Sequence, residues 1–126
     1  MPTASTICHI EIPSTDLPGS KSFYEDVFGW TVEIIEDGGY GLWMVPKDDG
    51  EGYAASGGFE PGIEPVSETK GVVLYLECAD VTAQLARISA AGGEVVKEKT
   101  QISPEHGYLG LFRDPSRNLL GVWSRA

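Results

Sequence analysis

The two halves of the sequence carry the same pattern, and this repeat limits the possible folds more than any other feature. Asp16 stands before a helical pattern that ends at Gly29, and Asp80 and Gly93 occupy the same places in the second half. The interval from Asp16 to Asp80 equals that from Gly29 to Gly93 and is close to half of the 126 residues. Each half is therefore predicted to form one copy of the same unit.

Hydrophobic periodicity predicts the same order of elements in both halves: strand, helix, strand, strand, strand. The first strand starts at Thr6 and leads into a helix that Thr15 or Asp16 caps, with Pro18 in its first turn. The other predicted strands of the first half are residues 30–35, 40–45 and 53–59. Those of the second half are residues 72–78, 94–97, 107–113 and 119–124, and its helix lies between residues 80 and 93.

The predicted architecture is α+β, with two βαβββ modules that form curved sheets in a single domain of residues 1–126. The modules cover approximately residues 5–60 and 71–125, and the linker of residues 61–70 contains Pro61, Gly62 and Pro65. Each helix buries one face of its sheet, so the other faces of the two sheets are predicted to border a cleft.

Alternation along the strands predicts which side chains face this cleft. In the first strand Ile10 and Ile12 alternate with His9 and Glu11, and the polar pair is assigned to the cleft. Together with the constant offset of the repeat, this reasoning yields a ligand cleft of His9, Glu11, Phe59, Tyr75, Glu77, Gly121 and Trp123. Aromatic walls with a few polar groups suit a small organic ligand.

Composition argues against some classes of partner. The formal net charge of −10 disfavours nucleic acid and an anionic membrane surface, since both require a basic footprint. No apolar run approaches the roughly 20 residues that span a membrane, and no signal peptide is visible at the N-terminus. Cys8 and Cys78 are expected to be reduced thiols in the core of a cytoplasmic protein.

Four segments carry a resemblance to a known family. They are HIEIP at residues 9–13, FYEDVFGW at 23–30, AAGG at 90–93 and DPSRNLLGVW at 114–123. In this order the chain resembles the vicinal oxygen chelate superfamily, which includes glyoxalase I, bleomycin-resistance proteins and extradiol dioxygenases. It is most similar to short bacterial members related to lactoylglutathione lyase. The resemblance covers nearly the whole chain and implies the glyoxalase/bleomycin-resistance fold and a homodimer.

The resemblance also bears on metal binding. In metal-dependent members, four His or Glu side chains from the first and last strands of each module hold a divalent ion. Of the corresponding positions only His9 carries a ligand here. The other three are Val73, Gly57 and Gly121. No complete metal site and no cofactor are therefore expected, although a displaced divalent metal near Glu11 and Glu77 is an alternative.

Three functions are compatible with these patterns, and the binding protein is the first hypothesis. The first is a small-molecule binding protein of the glyoxalase/bleomycin-resistance type, without a complete metal site. The second is a lyase or isomerase similar to lactoylglutathione lyase, which uses a displaced metal or His9 and Glu11 as acid and base. A purely structural or protein-binding module is a third possibility.

Several other residues have more than one interpretation. His9 is interpreted first as a cleft residue that hydrogen-bonds a neighbouring Glu or Tyr. His106, in the loop before residues 107–113, is interpreted as an exposed loop histidine rather than part of a lid. The aromatic residues that either stack on a planar ligand, close the cleft or anchor a dimer are Trp43, Phe59, Phe112 and Trp123.

Overall fold

The computed structural model describes residues 4, 7–61 and 72–126. The chain divides into two compact units, Met1–Ile63 and Glu64–Ala126. Within the described residues, each unit contains one four-stranded mixed sheet and one α-helix, which confirms the predicted α+β class. Of the predicted linker only Pro61 is described, and it is the last residue of a strand.

The first unit follows the predicted order of elements. Its elements are β1 (Ile10–Ser14), α1 (Leu17–Phe28), β2 (Thr31–Ile35), β3 (Tyr40–Pro46) and β4 (Tyr53–Pro61). A short 3-10 turn, Glu36–Gly38, joins β2 to β3. The strands lie in the order β1-β4-β3-β2, with β1 parallel to β4 and the other neighbours antiparallel.

The second unit repeats this order. Its elements are β5 (Tyr75–Glu77), α2 (Val81–Ala90), β6 (Glu94–Ser103), β7 (Gly107–Arg113) and β8 (Leu119–Ser124). The sheet has the order β5-β8-β7-β6, and β5 is parallel to β8. Strand β6 is longer than predicted. It is an edge strand of its sheet whose exposed residues alternate poorly, and such a strand has a weak sequence pattern.

Helix α1 begins and ends where the sequence predicts. Asp16 is the N-cap residue with an extended backbone, and Pro18 lies in the first turn, where its missing N–H costs nothing. Gly29 ends the helix with a φ of 70°, a left-handed conformation that glycine adopts without strain. The buried side chains of the helix are Leu17, Ser20, Phe23 and Tyr24.

Helix α2 starts at the predicted cap and lies within the predicted range of residues 80–93. The Asp80 carboxylate accepts a hydrogen bond of 2.9 Å from the backbone N–H of Ala83. The glycine with positive φ after the helix is Gly92, at 99°, although the repeat matches Gly93 to Gly29. An added Cβ at Gly93 would meet the Ile88 side chain at 2.5 Å, so that glycine allows close packing instead. Neither helix of the described residues is long and apolar enough to cross a membrane.

Helix α1 covers one face of the first sheet, where aromatic rings form the core. Trp43 stacks on Trp30 at a ring-centroid distance of 4.4 Å, and Trp30 stacks on Tyr24 of α1 at 4.7 Å. Phe59 of β4 has no exposed surface, and its ring lies 5.2 Å from that of Tyr24. The prediction that Phe59 faces away from the helix, in a ligand cleft, is therefore wrong.

The error arises because the offset of the repeat changes along the chain. In the first strands of the two units Glu11 corresponds to Tyr75, and these residues pair with Gly58 and Gly121 of the last strands. The interval from Gly58 to Gly121 is one residue shorter than that from Glu11 to Tyr75. Because side chains alternate between the faces of a strand, this difference reverses every assignment in β4, the last strand of the first unit.

With the corrected offset, Phe59 corresponds to Val122, which is also fully buried. Gly57 shares the face of Phe59, since an added Cβ there would overlap the Trp43 ring. Gly57 is therefore not the last-strand position opposite the helix, as the resemblance had suggested. That position is Gly58.

The second unit packs its helix against an apolar core of its own. Leu120 and Val122 of β8 are buried, as predicted. Phe112 of β7 is fully buried as well, so it belongs to the core, as Trp43 does in the first unit. The residues that α2 contributes to this core are Val81, Leu85 and Ile88.

Both cysteines are less buried than predicted. Cys8 precedes β1 and is exposed, so its predicted place in the core is wrong. Its strand begins only at Ile10, and alternation does not bury a residue outside the sheet. Cys78 is half-buried, and burial raises the pKa of its thiol, which lowers its reactivity.

Candidate functional site

Three polar side chains meet in the first unit, and we call them the polar cluster: His9, Glu11 and Tyr40. Nε2 of His9 lies 3.1 Å from Oε2 of Glu11. The Tyr40 hydroxyl donates to Oε1 and Oε2 of Glu11, at 3.0 and 2.9 Å, and lies 3.4 Å from Nε2 of His9. The structure thus brings together the two residues predicted for acid–base chemistry and adds a tyrosine to them.

Strand alternation places this cluster on the face of the sheet opposite α1. Ile12 is buried, so its neighbour Glu11 points to the other face. A Cβ added at Gly41 would touch Phe59 of the core, so the adjacent Tyr40 also points away from α1. The side chains of His9 and Glu11 are 45% and 41% exposed, which leaves both accessible to a bound molecule.

Gly58 of β4 provides the space that the cluster occupies. It pairs with Glu11 in the parallel ladder between β1 and β4. A Cβ added at Gly58 would overlap the Tyr40 hydroxyl and the Glu11 carboxylate. Any larger residue at this position therefore displaces the polar cluster.

The hydrogen bonds determine which nitrogen of His9 carries its proton. A carboxylate only accepts hydrogen bonds, so Nε2 of His9 donates to Glu11 in this contact. In the neutral imidazole the lone pair then lies on Nδ1. This arrangement, a base oriented by a carboxylate, is the one that general base catalysis uses.

The phenol of Tyr40 is a hydrogen-bond donor and not a base. The pKa of Tyr40 is raised to about 12, mainly by burial and next by the hydrogen bond to Glu11. The negative charges of Glu11, Glu60 and Glu36 act in the same direction. The hydroxyl therefore keeps its proton at neutral pH and holds the Glu11 carboxylate in place.

The first half of the chain is strongly acidic. Residues 1–63 contain eleven Asp and Glu but only two basic residues, Lys21 and Lys47. Lys21 donates to Glu25 at 2.9 Å and to the Val32 carbonyl at 2.7 Å, so its charge is already engaged. The carboxylates that act on Tyr40 are Glu11, Glu60 and Glu36, and their negative charge disfavours an anionic ligand at the polar cluster.

The second unit carries the other predicted cleft residues. Tyr75 and Glu77 of β5 pair with Gly121 and Trp123 of β8, so the four share the face opposite α2, as predicted. Tyr75 is 48% exposed, and its ring lies directly over Gly121. A cleft that combines this face with the polar cluster stays a prediction.

The loop before β7 holds the second histidine. His106 is exposed, which agrees with its interpretation as a loop residue. Its Nδ1 lies 2.7 Å from the Ser103 hydroxyl, and its carbonyl accepts a hydrogen bond of 2.6 Å from the Trp123 indole. The indole of Trp123 thus attaches this loop to β8.

The residues present do not fit the four-ligand metal site of the metal-dependent relatives. The last-strand positions on the faces opposite the helices are Gly58 and Gly121, which have no side-chain donor, and tyrosines occupy their space. Among the described residues, no group of three or more His, Cys, Asp or Glu side chains is close enough to hold a metal ion. We therefore derive no chemical step through a metal.

Tyr40 and Gly58 are the members of this site that sequence reasoning missed. A signal was present in β3, where Tyr40 alternates with residues of the opposite face, Gly41 and Trp43. Alternation alone does not show which of the two faces of β3 packs in the core. The buried side chain of Trp43 identifies its own face as the core face, so Tyr40 lies on the other one.

Comparison with known proteins supports the fold. The profile of the Glyoxalase/Bleomycin resistance protein/Dioxygenase superfamily matches residues 6–122. The chain belongs to this superfamily. The family assignment agrees with the resemblance carried by the four sequence segments.

The known proteins to which this chain is similar differ in length. The glyoxylase-like domain-containing protein of Didymella fabae is 25% identical over 124 residues, which cover 94% of this chain and 93% of that protein. The anthracycline biosynthesis protein DauV of Streptomyces sp. strain C5 is 26% identical over 91% of this chain but only 45% of its own length. The chain thus spans about half the length of several curated relatives that it matches.

A solved structure has a similar fold. The fosfomycin resistance protein FosX of Listeria monocytogenes, in complex with Mn(II) and 1S,2S-dihydroxypropylphosphonic acid, aligns with a TM-score of 0.76. The alignment covers 98% of this chain and 93% of FosX, at 16% identity. At this identity the likeness concerns the fold alone.

Proposed function

We propose that this protein binds a small organic molecule at the polar cluster, on the face of the first sheet opposite α1. One observation carries the proposal: three hydrogen-bonded polar side chains, two of them nearly half exposed, converge on this face. A site with few convergent polar groups is the usual form of a small-molecule site. The predicted cleft residues Tyr75, Glu77, Gly121 and Trp123 stay proposed ligand contacts on the corresponding face of the second unit.

The relatives support a small molecule as the ligand class. DauV acts in anthracycline biosynthesis, and FosX is bound to a small phosphonic acid. The acidic first half of this chain argues against a phosphonate or another anion here. The proposed ligand is therefore an uncharged or cationic organic molecule.

A fragment screen by NMR tests this proposal. In ¹⁵N-labelled protein, fragments that bind are expected to shift the amide signals of Glu11, Tyr40 and Gly58, and Glu11→Gln is expected to weaken binding at least tenfold. His106→Ala is the matched control, since it removes the other histidine without touching the cluster. A screen in which every bound fragment shifts other residues would contradict the proposal.

A lyase or isomerase activity is the second candidate, and the pairing of His9 with Glu11 favours it. With Nε2 directed at Glu11, Nδ1 of His9 is the atom that would take a proton from a substrate carbon and return it to a neighbouring one. The assay is turnover of thiol–aldehyde adducts, with and without added divalent ions. Activity is expected to be lost in His9→Ala and Glu11→Gln and kept in His106→Ala, while inactivity under every condition would leave only binding.

We also propose that two copies of the chain associate. Dimers are common in the superfamily. Because the chain spans less than half of DauV, that relative has room for a second segment of similar size within one chain. Light scattering should give twice the 13.5 kDa of the chain, and a mass of one chain at all concentrations would contradict this proposal.

A further inference from the structure

We infer that Gly58 is a specificity-determining position: the space left by its missing side chain holds the Tyr40 hydroxyl and the Glu11 carboxylate at the point where a ligand meets them. This inference rests on the proposed function, because it concerns the same face of the first sheet. It assigns a role to two residues, Gly58 and Tyr40, that neither the sequence motifs nor the family assignment indicates.

The backbone of Gly58 does not explain the glycine. The described glycines with positive φ are Gly29, Gly38, Gly50, Gly52, Gly92 and Gly107. Gly58 is not one of them, so the conformation of β4 would accept an L side chain at this position. What excludes a side chain is the overlap with Tyr40 and Glu11.

The preceding residue shows that the two faces of β4 use glycine differently. A Cβ at Gly57 would overlap the carbonyl oxygen of Ile10 and the Trp43 ring, and neither group can move without disturbing the core. A Cβ at Gly58 would overlap the ends of two partly exposed side chains, which can rotate away. Alanine at Gly58 is therefore expected to change the site while the fold persists.

A tyrosine also lies over a glycine of the last strand in the second unit, although Tyr75 comes from β5 and Tyr40 comes from β3. Gly121 lies in β8, the last strand, and also lacks a positive φ. A Cβ there would overlap the ring of Tyr75. Each unit thus places a tyrosine over a glycine of its last strand, on the face opposite its helix. In both units the space over this glycine is therefore filled by a tyrosine from a neighbouring strand.

The test compares Gly58→Ala with wild type and with Ser56→Ala, a substitution on the same face of β4 that adds no volume. The ¹³Cζ chemical shift of Tyr40, assigned with Tyr40→Phe, reports the hydrogen bond of its hydroxyl. Binding of benzamide, benzylamine and benzoate is followed by amide shifts at Leu42 and Glu11. We expect Gly58→Ala to change the Tyr40 shift and to change the ratio of the affinities for the three probes at least tenfold, with a Tm within about 5 °C of wild type.

Each other outcome contradicts a different statement. An unchanged Tyr40 shift in Gly58→Ala would overturn the placement of the hydroxyl over Gly58. A changed shift with an unchanged ratio of affinities would overturn the role in specificity but leave the proposed function standing. If no probe binds this face of the wild type, the proposed function and the role in specificity are both wrong. The Tyr40 shift then still tests whether the Tyr40 hydroxyl lies over Gly58. If Gly58→Ala does not fold, the statement that this space serves the site rather than the core is wrong.

Discussion

At the scale of single residues, the fold changes the acid–base chemistry of Tyr40. An exposed tyrosine has a pKa near 10, and that of Tyr40 is raised to about 12, by burial first and by Glu11 next. The folded state thus favours the neutral phenol. The resulting contribution to the stability of the protein is complete below pH 10 and is lost as the pH rises from about 10 to about 12.

Removing the charge of Glu11 should lower the pKa of Tyr40. In Glu11→Gln we expect the value to fall from about 12 toward 10 without reaching it, because burial is the larger cause and remains. The measurement is a ¹³Cζ titration of the tyrosine signals. Glu51→Gln serves as the control, since Glu51 is not among the charges that act on Tyr40. Equal pKa values in Glu11→Gln and wild type would contradict the contact.

Gly57 should respond to substitution differently from Gly58. We expect Gly57→Ala to lower the free energy of unfolding by about 1–3 kcal/mol, because the added methyl group enters a packed core beside Trp43. Urea denaturation measures this change. A loss as small as that in Gly58→Ala would show that the two glycines do not face opposite sides of β4.

At the scale of elements, both helices have an aspartate as N-cap residue, but only one of the two side chains accepts a hydrogen bond from its helix. Asp80 accepts a hydrogen bond from the backbone of Ala83, and Lys99 of β6 donates to its other oxygen at 2.6 Å. Asp16 makes no side-chain cap hydrogen bond to α1. The equivalence that the repeat predicts at this position therefore holds for the residue type and not for its contacts.

The two aspartates should consequently differ in their effect on stability. Asp80→Ala is expected to lower the urea midpoint at least twice as much as Asp16→Ala, because only Asp80 loses a cap hydrogen bond. The hydrogen bond from Lys99 is the main cause that lowers the pKa of Asp80. The stabilisation is therefore present above the ordinary pKa of the group and is lost as the pH falls through the lowered value. Urea titrations of both variants at neutral and acidic pH measure this; equal losses would contradict the difference in capping.

At the scale of the whole molecule, the two halves repeat the order of elements but not a constant spacing. The first strands correspond as Glu11 to Tyr75, and the last strands correspond as Gly58 to Gly121, an interval that is shorter by one position. As a result Phe59 belongs to the core of the first unit. Trp123, which a constant offset would match to Phe59, is only partly buried on the face opposite α2.

Stability measurements should reflect this difference. Phe59→Ala is expected to cost about 3–5 kcal/mol, the range for a fully buried aromatic residue. Trp123→Ala should cost less, because its indole is partly exposed, although the hydrogen bond to the His106 carbonyl is also lost. A larger loss for Trp123→Ala in urea denaturation would contradict the assignment of Phe59 to the core.

Local chemistry allowed the sequence by itself to determine the element order, the caps and the superfamily. Asp16, Pro18 and Gly29 specify one helix from within a few residues, and strand alternation places Glu11, the partner of His9, away from α1. Strand pairing depends on contacts between distant residues, so only the tertiary structure decided that Phe59 is core and that Gly58 lies opposite Glu11. It alone also joined Tyr40 to residues far earlier in the chain, because a hydrogen bond across a sheet leaves no periodic trace in the sequence.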